Sequence, residues 1–414
     1  MPSEAVKAFM LFPSAPISYA VEITFACNNA CSGCSNIWKA RRRQSLQNWR
    51  TLFDRIAPPE NRGKYAELIR ITGGEPSLHP EFRQIIEYAD TFGIPHALFS
   101  SGRWENPDEV IRTYLKCKNF IGMLISLHGS TEVAHNAFVR TSHAFEETCN
   151  NIRRASEAGL EVFTNTVLTV HSCGQIEDII SLSQELGAGC AVFNRFLAGD
   201  HPLQPSEDQL RETVLLIEKL QRQGVSCHIG NCIPKCFVKN SSEGANAGIE
   251  HCNVSPEGLV RPDNLSGYVF GNILEQPIEE IWASEPARHY RDRVPKACFE
   301  CAELSRCRGG EKSLIAEYGF NKDPLMKEPV RESETETIIL SPELKPVPYF
   351  NLRKESFGYL LTRYNWSVPV SSEAKAIADA INSRNTIEQL QEQFGDDVLN
   401  FIGYLYRERC IGFE

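Results

Sequence analysis

Six short apolar segments, separated by stretches with helical periodicity, fill roughly residues 18–224. Between the second and third segments, Phe82, Ile85, Ile86 and Ala89 recur at i, i+3, i+4 and i+7 and predict one buried helical face. Such alternation predicts a parallel sheet covered by helices, with ligand sites at the carboxyl ends of the strands. The predicted strands are 19–24, 67–72, 95–99, 122–127, 160–168 and 190–196.

Three cysteines, Cys27, Cys31 and Cys34, follow the first predicted strand. Three thiolates can hold three irons of a [4Fe–4S] cluster and leave the fourth iron open to a ligand. A structural zinc prefers four ligands, and no obvious fourth lies nearby in the sequence. A disulfide framework is disfavoured in a long chain without a secretory signal. The spacing therefore favours a cluster with one open iron.

Gly73, Gly74 and Glu75 end the second predicted strand, at the same edge of the sheet as the cysteines. A Gly-Gly turn lets the backbone approach a ligand closely, and a carboxylate can hold an ammonium group. S-adenosylmethionine (SAM) fits both motifs, because its amino and carboxylate groups can chelate an open iron.

The C-x3-C-x2-C spacing followed by Gly-Gly-Glu resembles the signature of the radical SAM enzymes. The resemblance implies an α/β fold with a partial (β/α)6 TIM-type barrel over residues 18–224, after an N-terminal lead-in at 1–17. It also implies that a reduced cluster on the three cysteines cleaves SAM to a 5′-deoxyadenosyl radical. One departure is Gly33, where the family usually carries an aromatic residue.

The same resemblance assigns a ligand pocket at the strand ends. Ser126 would contact the ribose of SAM, and Arg140 would pair with its carboxylate. Asn165 and Leu168 would touch the ribose and the adenine, although filling of the core is an equally good interpretation. Weaker candidates at the same strand ends are Ser100, Ser101, Gly102, His128 and Asn194, with a structural role favoured for the last two.

Residues 225–325 are rich in Gly, Pro, Asn and Cys and contain a C-x2-C-x5-C run. They resemble the SPASM domain, in which seven cysteines hold two auxiliary [4Fe–4S] clusters. The pattern is eroded, because Asp263 and Glu311 stand where that family has cysteines. Two all-cysteine clusters are therefore not expected, and ligation by these two carboxylates is an open alternative.

At least one auxiliary iron–sulfur cluster is still expected in this SPASM- or twitch-like region. Its candidate ligands are the cysteines of the run and those upstream of it, with a structural zinc as the alternative. The candidates are Cys232, Cys236, Cys252, Cys298, Cys301 and Cys307.

Residues 326–344 are acidic and proline-bearing, which is typical of a linker. Residues 345–414 regain regular periodicity and predict a winged-helix-like α+β domain with a capping box at Thr386 and Gln389. This domain resembles the recognition element of ribosomal-peptide maturation systems, which binds a leader peptide by adding it as a strand to a sheet edge. A generic stabilising appendage is the alternative.

Together these resemblances imply a radical SAM maturase, an oxidoreductase or lyase that acts on a ribosomally made precursor peptide. Formation of a carbon–carbon or thioether crosslink is favoured, with a flavodoxin or ferredoxin as the electron donor. Backbone excision, epimerisation and a small-molecule substrate in cofactor biosynthesis stay open. So does an iron–sulfur or zinc scaffold without catalysis.

The chain has 414 residues and a net charge of −10, which argues against a nucleic-acid partner. The sequence contains no apolar run of about eighteen residues, as a membrane span requires, and its N-terminus lacks a signal-peptide pattern. Fifteen cysteines in a reducing compartment favour metal sites over disulfides. We therefore expect a cytoplasmic protein without nucleic-acid or membrane partners.

Overall fold

The computed structural model of the protein describes residues 11–34, 38, 45–58, 66–239, 244–332, 340–364 and 366–414. A parallel sheet forms its centre, with strands β1 (Ser18–Thr24), β2 (Leu68–Gly73), β3 (His96–Ser100), β4 (Phe120–Ser126), β5 (Val162–Leu168), β6 (Cys190–Arg195) and β7 (Cys227–Ile229). Each strand pairs in parallel with the next along the chain. The predicted α/β fold is confirmed, and the first six strands lie within about two residues of their predicted positions.

Helices connect these strands and cover the sheet. On the second helix, Phe82, Ile85, Ile86 and Ala89 are all buried, as their spacing predicts. The helices are α1 (Trp49–Ile56), α2 (Phe82–Asp90), α3 (Pro107–Leu115), α4 (Glu132–Val139), α5 (Ala144–Glu157), α6 (Ile176–Glu185) and α7 (Glu207–Arg222).

The cysteine-rich region extends the same sheet beyond β1. Strand β8 (His251–Val254) pairs in parallel with β1, and β9 (Leu259–Arg261) and β10 (Gly271–Asn272) follow antiparallel. The sheet therefore continues across residue 224, the predicted end of the barrel, and the boundaries 18–224 and 225–325 stay a prediction. Short helices complete the region: α8 (Ile278–Trp282), α9 (Glu285–Arg291), α10 (Leu304–Cys307) and α11 (Lys312–Tyr318).

A buried ion pair joins the two regions inside the sheet. Glu22 of β1 pairs with Arg261 of β9, and both side chains are almost wholly shielded from solvent. Burial raises the pKa of the Glu22 carboxyl to about 7, although the Arg261 guanidinium opposes the shift. Losing either partner would strand a buried charge, so this pair fixes the cysteine-rich region against the first barrel strand.

The C-terminal region forms a separate module. Its antiparallel sheet contains β12 (Asn351–Glu355), β13 (Gly358–Arg363) and β14 (Trp366–Val370), and a second pair joins β11 (Pro346–Pro348) to β15 (Ile411–Phe413). Three helices follow β14, namely α12 (Ser372–Ala380), α13 (Ile387–Phe394) and α14 (Asp397–Arg407). The α+β prediction is confirmed, and α13 begins with the expected capping box of Thr386 and Gln389.

The two faces of the three-stranded sheet meet different neighbours. One face packs on the helices in an apolar cluster that includes Leu361, Val368 and Ile402. The other face touches the barrel through polar groups, for example the hydrogen bond from the Thr362 hydroxyl to Glu67. The module thus has its own core and a polar junction with the rest of the chain.

Parts of all five predicted segments lie outside the described residues. These parts are residues 1–10, 35–37, 39–44, 59–65, 240–243, 333–339 and 365. Among the described residues, no helix combines the length and apolar character that crossing a membrane requires.

Replacing Ile85 with alanine is expected to destabilise the barrel by about 2–5 kcal/mol, because the side chain is fully buried in the main core. Urea unfolding followed by circular dichroism measures the change. Gln84→Ala, on the exposed face of the same helix, is the matched control and should stay within about 0.5 kcal/mol of the wild type. Equal effects of the two changes would contradict the assigned helix face.

Candidate active site at the mouth of the barrel

The loop after β1 carries the three motif cysteines. Cys27, Cys31 and Cys34 all line one cavity of about 420 Å³, a size typical of small-molecule sites. The loop is held on α4 by backbone hydrogen bonds from Ala30 to Val139 (3.0 Å) and from Ser32 to Phe138 (2.9 Å). Three thiols on one wall, with no disulfide between them, fit the three-ligand set of a [4Fe–4S] cluster with an open iron.

Gly33 lies where the family usually has an aromatic residue, and the structure explains the exchange. A Cβ atom at this position would lie 2.7 Å from the ring of Phe196 and 2.9 Å from the ring of Phe138. Those two rings, supplied from other parts of the chain, already fill the space beside the loop. Only glycine therefore fits between them and the cysteines.

The Gly-Gly-Glu turn runs against the cysteine loop. A Cβ atom on Gly73 would collide with the carbonyl oxygen of Thr24, and one on Gly74 with that of Ala26. The amide of Gly74 donates to Thr24 (2.7 Å), and the amide of Glu75 donates to Ala26 (2.7 Å). Gly73 and Gly74 form part of the cavity wall, as expected of a backbone that approaches a ligand closely.

Glu75 does not line the cavity, although its two glycine neighbours do. It is fully buried and accepts hydrogen bonds from the hydroxyls of Ser77, Ser100 and Ser101 and from the amides of Ser77 and Ser101. These bonds use its acceptor capacity, since two carboxylate oxygens offer about four acceptor positions. Glu75 therefore positions the end of β3, where Ser100 and Ser101 face the cavity.

Ser126 is the last residue of β4 and lies opposite Asn165, in the middle of β5, in the register of the two strands. Both line the cavity. The Oδ1 atom of Asn165 accepts a hydrogen bond from Nδ2 of Asn194 (2.5 Å), so the Asn165 amide nitrogen is the group left to donate to a ligand. Asn194 has the structural role that the sequence favours.

Arg140 and Leu168 do not lie in the cavity wall of the described structure, and these two assignments need correction. Arg140 is an exposed residue in the left-handed conformation at the C-terminal end of α4. Leu168 is buried in an apolar cluster beneath β5. Side chains alternate along a strand, so Asn165 and Val167 face the cavity and Leu168 faces the opposite side.

His128 lies in the cavity wall, where the sequence favours only a structural role. Its backbone amide donates to Nδ1 of His135 (3.1 Å), and its own Nδ1 accepts from the amide of Val167 (3.3 Å). The second bond assigns the ring proton to Nε2, which is therefore a donor. Burial, and then the neighbouring His135, lowers the pKa of His128 to about 3, so the ring is neutral at physiological pH. The signal in the sequence for this position is the spacing of two residues from Ser126, because residues two apart along a strand face the same side.

Asn264, from the loop after β9, also reaches the cavity. Nothing in the sequence pattern places it there, because the contact depends on the pairing of β8 with β1. The cysteine-rich region thus contributes directly to the wall of the barrel cavity.

Four cysteines of the cysteine-rich region lie near one another. Burial raises the pKa of the Cys298 thiol to about 12, with further contributions from Cys307, Cys301 and Cys236. The Cys236 sulfur accepts the amide of Lys327 (3.2 Å). Thiolates are ligands of both [4Fe–4S] clusters and structural zinc ions, so these four cysteines are candidate ligands for either.

The other two candidate ligands are placed differently. Cys252 is buried in β8, where it pairs in register with Tyr19, and burial raises the pKa of its thiol beside Arg70. Cys252 belongs to the main apolar core, which corrects its assignment as a ligand. Cys232 is buried beside Cys307, and burial, followed by Cys307, raises the pKa of its thiol, so it stays a candidate ligand next to the four. Its carbonyl oxygen accepts a hydrogen bond from Arg195.

Asp263 and Glu311 lie in a network of polar groups. Asp263 accepts hydrogen bonds from the amide of Ser266 (2.8 Å) and from the hydroxyl of Ser313. The amide of Glu311 donates to Asp323 (2.9 Å), and Asp323 forms a buried ion pair with Arg195 (2.9 Å). These groups satisfy one another and offer carboxylates and a guanidinium where a cluster needs thiolates. A second auxiliary cluster does not fit this place.

Gly33→Ala is expected to lower the iron content of the anaerobically purified protein. The added methyl group must displace Phe138 and Phe196, and such overpacking costs about 1–3 kcal/mol in a loop that has to hold three thiols. Gly174→Ala is the control, because a Cβ atom there meets nothing within 4 Å. Adding Phe196→Leu should restore iron, and a Gly33→Ala protein with full iron content would disprove the packing argument.

His135 is expected to make the protein sensitive to acid. Burial, and then Arg103, lowers its pKa to about 4 in the folded state, below the ordinary value of 6.5. The folded state thus binds fewer protons than the unfolded state, so stability present above pH 6.5 is lost as the pH falls toward 4. Between pH 6.5 and 4, the unfolding free energy of His135→Gln should fall by on the order of 1 kcal/mol less than that of the wild type. Urea unfolding of cluster-free wild type and variant across this pH range measures it, and parallel curves would contradict it.

Two family models match the chain. The radical SAM superfamily matches residues 21–182, and an iron–sulfur cluster-binding domain, SPASM, matches residues 246–307.

Among curated proteins, the chain is 26% identical to the mycofactocin maturase MftC of Mycobacterium ulcerans (strain Agy99), over 72% of this chain and 83% of that protein. It is 24% identical to the PqqA peptide cyclase of Gluconobacter oxydans (strain 621H), over 76% and 92%. It is also 24% identical to an AdoMet-dependent heme synthase of Nitratidesulfovibrio vulgaris, over 75% of this chain and 90% of that protein.

Solved structures share the fold. SuiB of Streptococcus suis bound to SAM superposes with a TM-score of 0.61 at 14% identity, over 75% of this chain and 77% of that chain. The AdoMet-bound enzyme anSMEcpe gives a TM-score of 0.58 at 15% identity, over 71% and 89%. The family matches assign residues 21–182 to the radical SAM superfamily and residues 246–307 to the SPASM iron–sulfur cluster-binding domain.

Proposed function

We propose that this protein is a radical SAM maturase that modifies a ribosomally made precursor peptide. The observation that carries the proposal is the cavity at the barrel mouth, which three cysteines line together with Ser126 of β4 and Asn165 of β5. One curated relative is named a mycofactocin maturase and another a peptide cyclase. SuiB, which shares the fold, has also been solved with its precursor peptide SuiA.

Each wall of the cavity has a proposed role. Cys27, Cys31 and Cys34 hold a [4Fe–4S] cluster, and Ser126 and Asn165 hydrogen-bond to the ribose of SAM. The bound cluster and SAM together supply a 5′-deoxyadenosyl radical, which removes a hydrogen atom from the peptide. Apolar side chains of the wall limit the access of water to the reacting atoms. These include Phe25, Phe99, Leu124, Phe138 and Val167.

Cys236, Cys298, Cys301 and Cys307 are the proposed ligands of one auxiliary [4Fe–4S] cluster. A new carbon–carbon or carbon–sulfur bond requires the peptide to lose two hydrogen atoms in total. The first would leave as a hydrogen atom by radical abstraction, and the second would leave as a proton and an electron. An auxiliary cluster held by these four cysteines would accept that electron, which favours crosslinking over a redox-neutral change.

Three further points belong to the same proposal. The C-terminal module, residues 345–414, binds the leader of the precursor peptide. A flavodoxin or ferredoxin supplies the electrons, and the enzyme works in the reducing cytoplasm. One relative is named as a heme synthase, but a leader-binding module favours a peptide substrate over a small molecule.

Metal content and SAM cleavage test the proposal. Wild type should contain about eight irons, and the Cys27→Ala/Cys31→Ala/Cys34→Ala variant about four, because each cluster holds four irons. Cys236→Ala should also retain about four, whereas Cys252→Ala, with its buried core thiol, should keep about eight. With dithionite, only proteins with an intact three-cysteine loop should form 5′-deoxyadenosine.

The outcomes separate the parts of the proposal. Wild type that produces no 5′-deoxyadenosine would contradict the enzyme class. Wild type with about four irons and one zinc would place zinc on Cys236, Cys298, Cys301 and Cys307 and would contradict oxidative crosslinking through an auxiliary cluster.

A further inference from the structure

A cleft of about 290 Å³ lies between the C-terminal module and the rest of the chain. One wall consists of β14 and the C-terminal end of α14, with the aromatic rings of Trp366 and Tyr404. The opposite wall consists of residues of the cysteine-rich region, together with residues 11–13, Gln221 of α7 and His228 of β7. It is separate from the barrel cavity that holds the motif cysteines, because the two share none of their lining residues.

The cleft is strongly cationic. Five of its lining side chains are basic, against two carboxylates, although the chain as a whole carries a net charge of −10. Both carboxylates are already paired, Glu250 with Arg308 (2.7 Å) and Glu408 with Arg306 (3.3 Å). The basic residues are Lys235, Arg306, Arg308, Arg407 and Arg409.

Helix electrostatics account for only part of this charge. Cations near the C-terminal end of a helix are favourable, and Arg407 and Arg409 lie at the end of α14. On the opposite wall, Arg306 lies in the last turn and Arg308 at the C-cap of the single-turn helix α10. Lys235 lies outside any helix, so that explanation does not apply to it. Arg409 also has a positive φ of 56°, a position after a helix where glycine is usually preferred. The left-handed conformation costs backbone energy at Arg409, because the residue is not glycine.

The edge of β14 is poorly suited to receive a peptide strand. The outward amide of Ser367 donates to the Glu250 carboxylate (2.9 Å). Residues two apart direct their backbone groups to the same side, so the next outward position is Pro369, which has no N–H. Within β14, the outward edge therefore offers no N–H for a backbone ladder. Recognition at this cleft has to use side chains instead.

We propose that this cleft binds an acidic segment of the leader peptide, with Glu or Asp side chains paired to the exposed Arg407 and Arg409. This inference rests on the proposed function and names the chemistry by which the substrate is recognised. Trp366 and Tyr404 supply an apolar surface beside the cations, so an acidic segment interrupted by apolar residues fits best.

The test uses the full-length, anaerobically reconstituted holoenzyme and fluorescent peptides that alternate glutamate and leucine. Matched peptides carry glutamine or lysine in place of glutamate. Fluorescence anisotropy should show binding of the glutamate peptide alone, weakening as salt rises to about 0.15 M. Arg407→Glu/Arg409→Glu should weaken that binding at least about tenfold and should gain affinity for the lysine peptide. Arg384→Glu, an exposed arginine of the same module outside the cleft, should bind like wild type.

Iron content and melting temperature show that the variants are folded. Equal binding of the glutamate and glutamine peptides, or a charge-reversed variant that binds normally, would overturn the inference. Binding of inorganic phosphate together with no binding of the glutamate peptide would assign the cleft to a small anion. That result would also overturn the inference. Formation of 5′-deoxyadenosine by the wild-type protein tests the proposed function and not the cleft. Failure of the proposed function and failure of the leader-binding inference are therefore distinguishable.

Discussion

The buried carboxylate of Glu75 is the interaction on which the active-site geometry depends. It joins the turn after β2 to the end of β3 by hydrogen bonds to Ser77, Ser100 and Ser101. The same turn is bonded through Gly74 and Glu75 amides to the start of the cysteine loop. One charged group therefore sets the relative positions of the cysteine loop, the Gly-Gly turn and the end of β3. Because its two oxygens are fully used by donors, the arrangement is rigid before any ligand arrives.

Much of this architecture follows from local sequence pattern. The strands, the buried face of α2 and the capping box of α13 depend on spacing along the chain, which the sequence states directly. The positions of the cysteines and Gly-Gly at one sheet edge follow from the parallel arrangement. The direction of the Glu75 carboxylate does not, because it depends on serines from another strand.

The site residues that the sequence places differently from the structure have a common physical origin. Strand alternation places Leu168 behind the sheet, and the left-handed end of α4 keeps Arg140 exposed outside the cavity wall. Cys252 lies in the core because β8 pairs with β1, a contact between residues far apart in sequence. Asn264 enters the cavity for the same reason. Family motifs identify chemistry, but only long-range pairing decides which side chains reach the site.

The junction between the C-terminal module and the rest of the chain contains hydrogen bonds, such as that between Ser367 and Glu250, and ion pairs, such as that between Arg306 and Glu408. The apolar residues of the module pack within its own core. Polar interfaces of this kind can separate and re-form with little exposure of apolar surface. Evolution could therefore exchange the module between barrels by altering a few surface residues on each side. In such a chain, the specificity for a substrate and the radical chemistry can be inherited independently.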